Sequence, residues 1–223
     1  MSVSYNPRIV TDGLVFCLDA ASERSYPGAG TTWYDLSVTK TSATLTNGPV
    51  FDSGNGGSIL FDGTNDYASI SPDPYSITND ITLESWTKVN AYTARGTLIT
   101  DVNSYYMQVD TDATVQVYTY KTNGDASVYD SSSGTIPLDA WTHIVFTQDS
   151  SGYRRIYING RLDAITPFRH IGIYESSGPV TIGGQVGDRE LSGNISIAKI
   201  YERALSDQEI LQNYKSTKGR FGL

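Results

Sequence analysis

The 223-residue chain has one cysteine, Cys17, so an intramolecular disulfide cannot form. Cys17 lies in the apolar run "GLVFCLD", where a thiol reads as a small buried hydrophobe rather than a reactive group. Only two histidines occur, His143 and His170, and no Cys/His cluster has zinc-ligand spacing. Positive charge is also scarce. Lys and Arg number 16 against 24 Asp and Glu, for a net charge of −8. Such a surface repels phosphate backbones and argues against nucleic acid as a partner. No apolar run approaches the roughly 20 residues of a membrane helix, so no membrane insertion is expected. The start, "MSVSYNPRIVTDGLVF", lacks a basic stretch leading into a long apolar one. No secretory signal is read there, and synthesis in a cytoplasm is expected.

Catalytic signatures are missing in the same way. There is no G-x-S-x-G elbow and no phosphate-cradling glycine loop. A glycoside hydrolase needs two carboxylates facing each other across a cleft. No strand here carries acids at alternate positions, and Glu84 stands alone in "TLESWTK". His143, in "WTHIVF", reads as a packed or hydrogen-bonded strand residue. The charges of "DRE" at 188–190 read as solvated.

Tyrosine (16), glycine (21), serine and threonine are abundant, and suit strands joined by tight turns. "LVFCLDA" at 14–20, "GSILF" at 57–61, "YASIS" at 67–71, "WTHIVFTQ" at 141–148 and "RRIYING" at 154–160 read as strands. In "ITLESWTKV" at 81–89, Ile81, Leu83, Ser85 and Thr87 point one way and Thr82, Glu84, Trp86 and Lys88 the other. Residues 31–51 read as loop-rich. Strands at this spacing without interleaved helices predict an antiparallel sandwich or jelly roll. One helix closes the chain in "ALSDQEILQNYK". Ser206 is its N-cap, Glu209 completes a capping box, and Leu205 with Ile210 forms a hydrophobic staple. The tail "STKGRFGL" is free or reaches a neighbour. No domain boundary is visible, and a single domain over 1–223 is expected, with its core at about 12–214.

The segments "DGLVFCLDAASERSYPGAGTTWYDLS", "ILFDGTNDYASI", "ITLESWTKV", "WTHIVFT", "RIYINGRLD", "VTIGG" and "GNISIAKIYERALSDQEILQNY" together resemble concanavalin A-like, laminin G-type jelly-roll domains. The resemblance implies an all-β sandwich of two curved antiparallel sheets and one short C-terminal helix. It implies glycan or protein binding on a concave face or loop rim, calcium in some members, and no catalysis. "YPGAGTTWYDLS" looks most like a subgroup found in bacteriophage structural proteins. After Ser37 the chain departs from that pattern, with "VTKTSATL" where the family runs rich in glycine and asparagine.

Two candidate sites follow. In "LFDGTNDY", Asp62, Asn65 and Asp66 could donate oxygens to Ca²⁺, with Asp19 or Asp35 approaching through the fold. Alternatively Asp62-Gly63 makes a hairpin turn in which Asn65 and Asp66 bond backbone amides. No cofactor is required, and Ca²⁺ is the one candidate ion. Glycan or interface candidates are Tyr105, Tyr106, Tyr118, Tyr120 and Tyr129 on consecutive strands, with Gln108, Gln116 and Asn123 nearby. Tyr118 and Tyr120 share a face. Trp33 lies in a loop as a surface candidate, unless it folds back on the sandwich, whereas Trp86 and Trp141 read as core. The first functional expectation is a non-enzymatic bacteriophage structural or adhesion protein. It would sit on the virion as a capsid decoration or tail-fibre protein, contacting a capsid or tail protein or itself, and host polysaccharide. The alternatives are a calcium-stabilised cellular lectin and, behind it, a glycoside hydrolase using Glu84.

Overall fold

The computed structural model describes residues 8–71, 73–121, 127–167, 172–185 and 189–223, the side chains of 127–129 excepted. In chain order its strands are β1 (Leu14–Asp19), β2 (Thr32–Trp33), β3 (Ala43–Thr46), β4 (Val50–Asp52), β5 (Ser58–Asp62), β6 (Tyr67–Ile70), β7 (Ile81–Val89), β8 (Gly96–Asp101), β9 (Tyr105–Val109), β10 (Thr114–Tyr120), β11 (Ser127–Thr135), β12 (Trp141–Gln148), β13 (Tyr153–Ile158), β14 (Arg161–Pro167), β15 (Val180–Ile182) and β16 (Ser192–Tyr201). They form two eight-stranded sheets. Sheet A runs β14-β13-β12-β7-β16-β5-β4, with β1 also paired to β16. Sheet B runs β11-β10-β9-β8-β15-β6-β3-β2. Described pairs are antiparallel throughout.

The two inner faces make one core. Sheet A contributes Phe16, Leu18, Ile59, Phe61, Ile81, Leu83, Ile144, Phe146, Ile195 and Ile200, and sheet B Trp33, Leu45, Ile70, Ile99, Tyr105, Met107, Val117 and Ile182. Each such side chain contributes about 1.5–3 kcal/mol by leaving water. Where the sequence reads as loop at 31–51, the structure places β2, β3 and β4. These strands are two to four residues long, too short for alternation to show, and pairing with longer neighbours defines them. Gly183 follows β15 with φ of 78°, and a Cβ there would lie 2.3 Å from the Phe61 ring, so only glycine lets the sheets close at this point.

β16 organises sheet A. One edge pairs with β7, and the other is shared by β5 near its start and β1 near its end. β7 is buried on both faces because α1 (Asp207–Thr217) lies across the outside of this sheet. The capping box forms as expected: Ser206 Oγ accepts from Glu209 N, and Glu209 Oε2 accepts from Ser206 N at 2.8 Å. Leu205 and Ile210 are buried together beneath the helix. The tail folds back on its own sheet. Phe221 stacks on Trp86 with centroids 4.1 Å apart, and Arg220 pairs with Asp19 at 2.8 Å.

Candidate functional site

Under α1 the outer face of sheet A holds a sealed polar cluster. Glu84 Oε1 accepts from Lys199 Nζ at 2.7 Å, with His143 Nε2 at 3.1 Å, and Glu84 Oε2 accepts from Asn213 Nδ2 at 2.7 Å. Burial pushes the Glu84 carboxyl up, but Lys199 and His143 outweigh it and lower it to about 2. All four side chains are fully buried. Glu84 therefore meets no outside substrate, which removes the one carboxylate a hydrolase reading relied on. Cys17 borders this cluster, and burial raises its thiol to about 12, leaving it inert.

The "LFDGTNDY" oxygens are turned onto backbone amides. Asp62 Oδ1 accepts from Thr64 N at 2.8 Å and Asn65 N at 3.4 Å, and Asp66 Oδ2 accepts from Asp62 N at 3.1 Å. Asn65 uses its backbone carbonyl to accept from Asn47 Nδ2. Asp19 accepts from Ala21 N and from Arg220 instead of approaching this turn. Asp35 accepts from the amides of Cys17 and Ser37. Among the described residues no three His, Cys, Asp or Glu side chains gather as a metal site would need.

The tyrosines divide by strand parity. Tyr105 faces the core and is almost wholly buried. Tyr106, Tyr118 and Tyr120 share the outer face of sheet B, with the Tyr106 ring 6.2 Å from Tyr118 and 6.0 Å from Tyr120. The Tyr129 side chain and residues His170 and Asn123 lie outside the described residues. Trp33 takes the inward alternative and is fully buried in the core. Trp86 is buried beneath the helix end rather than in the main core, with Trp141 packed half-buried beside it.

Around these rings the outer face of sheet B is a polar lattice. Gln108 donates to Gln116 at 3.1 Å, Gln116 reaches Asp110, and Arg189 stacks 5.1 Å over Tyr106 while donating to Gln108 at 3.3 Å. At the β8–β9 end this face opens into a pocket of about 480 Å³ lined by Val102, Asn103, Tyr174, Ser176, Ser177, Gly178, Pro179, Thr181 and Gln185. Thr181 Oγ1 and Gln185 Oε1 are buried there without a hydrogen-bond partner among the described residues. These two atoms belong to the pocket's inner wall, and the groups it turns to solvent are Asn103, Tyr174 and Ser177. Tyr174 supplies a partly exposed aromatic wall. Sequence reasoning missed this pocket. Its one trace was an aromatic beside a turn in "YESSGP", which resembles any surface loop.

A larger groove of about 800 Å³ runs beside the start of α1. Its charged groups already serve one another: Asp149 pairs with Arg155, Asp207 accepts from Tyr157, Glu209 pairs with Arg203, and Asp80 accepts from Ser150 N. Volume alone does not make a site, and the smaller pocket sets an exposed aromatic ring beside polar side chains.

Behind that pocket Asp101 faces Asp73. Burial, then the Asp73 charge, raises Asp101 from 3.8 to about 7. Asp101 is 1% exposed and sits behind the pocket wall, whereas Asp73 is half-buried.

The model of the concanavalin A-like lectin/glucanases superfamily matches residues 62–211. No curated protein matches the chain in sequence. Among solved structures, Domain 4 of AbnA, an extracellular arabinanase from Geobacillus stearothermophilus, in complex with arabinotriose, aligns over 92% of this chain and 100% of its own, with 16% identity and TM-score 0.72. The binding domain of Paraclostridial Mosquitocidal Protein 1 aligns over 91% and 52%, with 18% identity and TM-score 0.70. The botulinum neurotoxin serotype D binding domain aligns over 92% and 52%, with 14% identity and TM-score 0.70. The chain thus spans about half the length of the toxin binding domains it matches.

Proposed function

The chain belongs to the concanavalin A-like lectin/glucanases superfamily, and from that premise we propose that it is a non-catalytic glycan-binding domain using the sheet B pocket. The observation that carries this reading is the exposed Tyr174 ring standing beside Asn103, Ser176 and Ser177 in one hollow. Sugars present alternating hydroxyls and C–H faces. Fixed amides and hydroxyls beside an aromatic wall match both. Similarity of fold to a domain solved with arabinotriose supports arabino-oligosaccharides as the first probe. The experiment is a glycan array followed by titration calorimetry. Micromolar binding is expected, and Asn103→Ala or Tyr174→Ala should each weaken it by about tenfold or more, the loss that 1.4 kcal/mol produces. Absence of binding across the array, or binding indifferent to both substitutions, would overturn the reading.

The resemblance of "YPGAGTTWYDLS" to bacteriophage structural proteins supports a placement for this domain: display on a virion as capsid decoration or tail-fibre protein. A particle surface would multiply weak glycan contacts through avidity. Peptide mass mapping of purified particles tests this placement, and absence of the chain from virions would end it.

A further inference from the structure

The cluster beneath α1 contains more than an ion pair. Lys199 on β16 is 1% exposed, and Glu84 on β7 and Asn213 on α1 are fully buried. The two oxygens of one carboxylate hold the lysine amine and the asparagine amide nitrogen, each at 2.7 Å. The carbonyl oxygen of the same amide, Asn213 Oδ1, accepts the backbone N–H of Val10 at 2.8 Å. Tyr201 Oη accepts a second hydrogen from Asn213 Nδ2 at 2.9 Å. Val10, Cys17, Val145, Tyr157, Leu205 and Ile210 pack around the cluster. As a static element this is costly, because apolar residues of similar volume do as well as a buried ion pair or better. The same geometry supplies every part of an acyl transfer: a nucleophilic amine, a proton carrier touching both reactants, an acyl carbon, and an N–H donor where oxyanion charge would develop.

We propose that Lys199 and Asn213 join in a self-formed isopeptide bond, with Glu84 as the proton carrier. Glu84 Oε1, which His143 Nε2 also approaches at 3.1 Å, takes a proton from the Lys199 ammonium in an uphill transfer, because both neighbours favour the carboxylate and closure is accordingly slow. The free amine attacks Cγ of Asn213, forming a C–N bond, and negative charge gathers on Oδ1 beneath the Val10 N–H. The Glu84 carboxyl turns to bring the proton it took on Oε1 to Nδ2, and the Cγ–Nδ2 bond breaks with release of ammonia. Glu84 then accepts the excess proton of the new amide nitrogen and releases it to the departing ammonia. The sum is an ammonium and a carboxamide giving a secondary amide and an ammonium ion, with Glu84 unchanged and no oxidant or co-reactant needed. The bond would tie the last strand of sheet A to the helix that covers it.

Intact-mass spectrometry of the purified full chain tests this. The expected mass lies one ammonia molecule below the sequence mass, allowing for the initiator methionine. Trypsin should leave a branched peptide joining the segments around Lys199 and Asn213, because an acylated lysine is not cut. Glu84→Gln and Lys199→Met should each restore the full mass. Asn213→Asp should still close, losing water instead of ammonia, which a purely packing role would not produce. A wild-type chain that keeps its full mass after prolonged incubation while folded, and is cut after Lys199, would overturn the proposal. The decisive measurement is on the wild-type chain, so a variant that fails to fold does not weaken it.

Discussion

On the outside of sheet A, Glu84, Trp86, Lys199 and Tyr201 lie under α1 and the returning tail. On the outside of sheet B, Tyr118, Tyr120, Gln108, Gln116, Thr100 and Thr181 lie on a face that no described helix covers. Both faces are polar in sequence, yet the polar groups are treated differently. Beneath the helix the charges are matched pairwise, because an unpaired buried charge would cost more than the helix docking returns. On sheet B an exposed aromatic ring and polar loop groups line an open hollow instead. One outer face thus serves stability, and the glycan-binding proposal gives the other to recognition.

The largest test of that contrast is Glu84→Ala. It strands Lys199 in an apolar chamber and should cost about 3–5 kcal/mol in urea unfolding. Next comes Asp101 behind the sheet B pocket. Its folded value of about 7 lies above the ordinary 3.8, so the folded state holds a proton that the unfolded chain has released. Stability should therefore fall as pH rises from about 4 to 7, and Asp101→Asn should flatten that slope in melts across the range. A loss confined to pH below 4 would contradict the assignment.

Smaller still is Ser206→Ala, which removes the cap of α1 and should cost about 1 kcal/mol. The neighbouring Glu209 is lowered to about 2, first by its hydrogen bond to Arg203, so its contribution is present above 4.5 and fades as pH falls toward 2. Tyr174→Ala should change stability by less than about 1 kcal/mol while weakening the proposed glycan binding about tenfold or more, since the ring is exposed at the pocket wall. A large loss of stability would mean the pocket is part of the packing. The smallest effect expected is that of EDTA. The turn acids already bond to amides, so we propose that the melting temperature is unchanged by chelation.

Much of the fold was legible because its signals are local. The alternation at Ile81–Val89 assigns Leu83 to the core and Glu84 and Trp86 to the opposite side, as the strand lies. The capping box at Ser206 and Glu209 needs only four residues in sequence. Short β2 and the inward turn of Trp33 were ambiguous, because two residues carry no period. The site was less legible. Tyr118 and Tyr120 fall on the outer face by parity, but Thr181, Gln185 and Asn103 come from separate turns and strands with nothing in their own neighbourhoods to single them out.

The sequence alone determined strand periodicity, the helix start and the family resemblance, because each depends on neighbours a few residues apart. Tertiary structure alone decided which polar groups are spent and which are kept. Glu84, Lys199 and Asn213 are separated by more than a hundred residues or by a strand-to-helix turn, and only the helix closing over β7 and β16 brings them to one carboxylate. Whether a hydroxyl such as Thr181's finds a partner likewise depends on what packs opposite it, which no local pattern encodes.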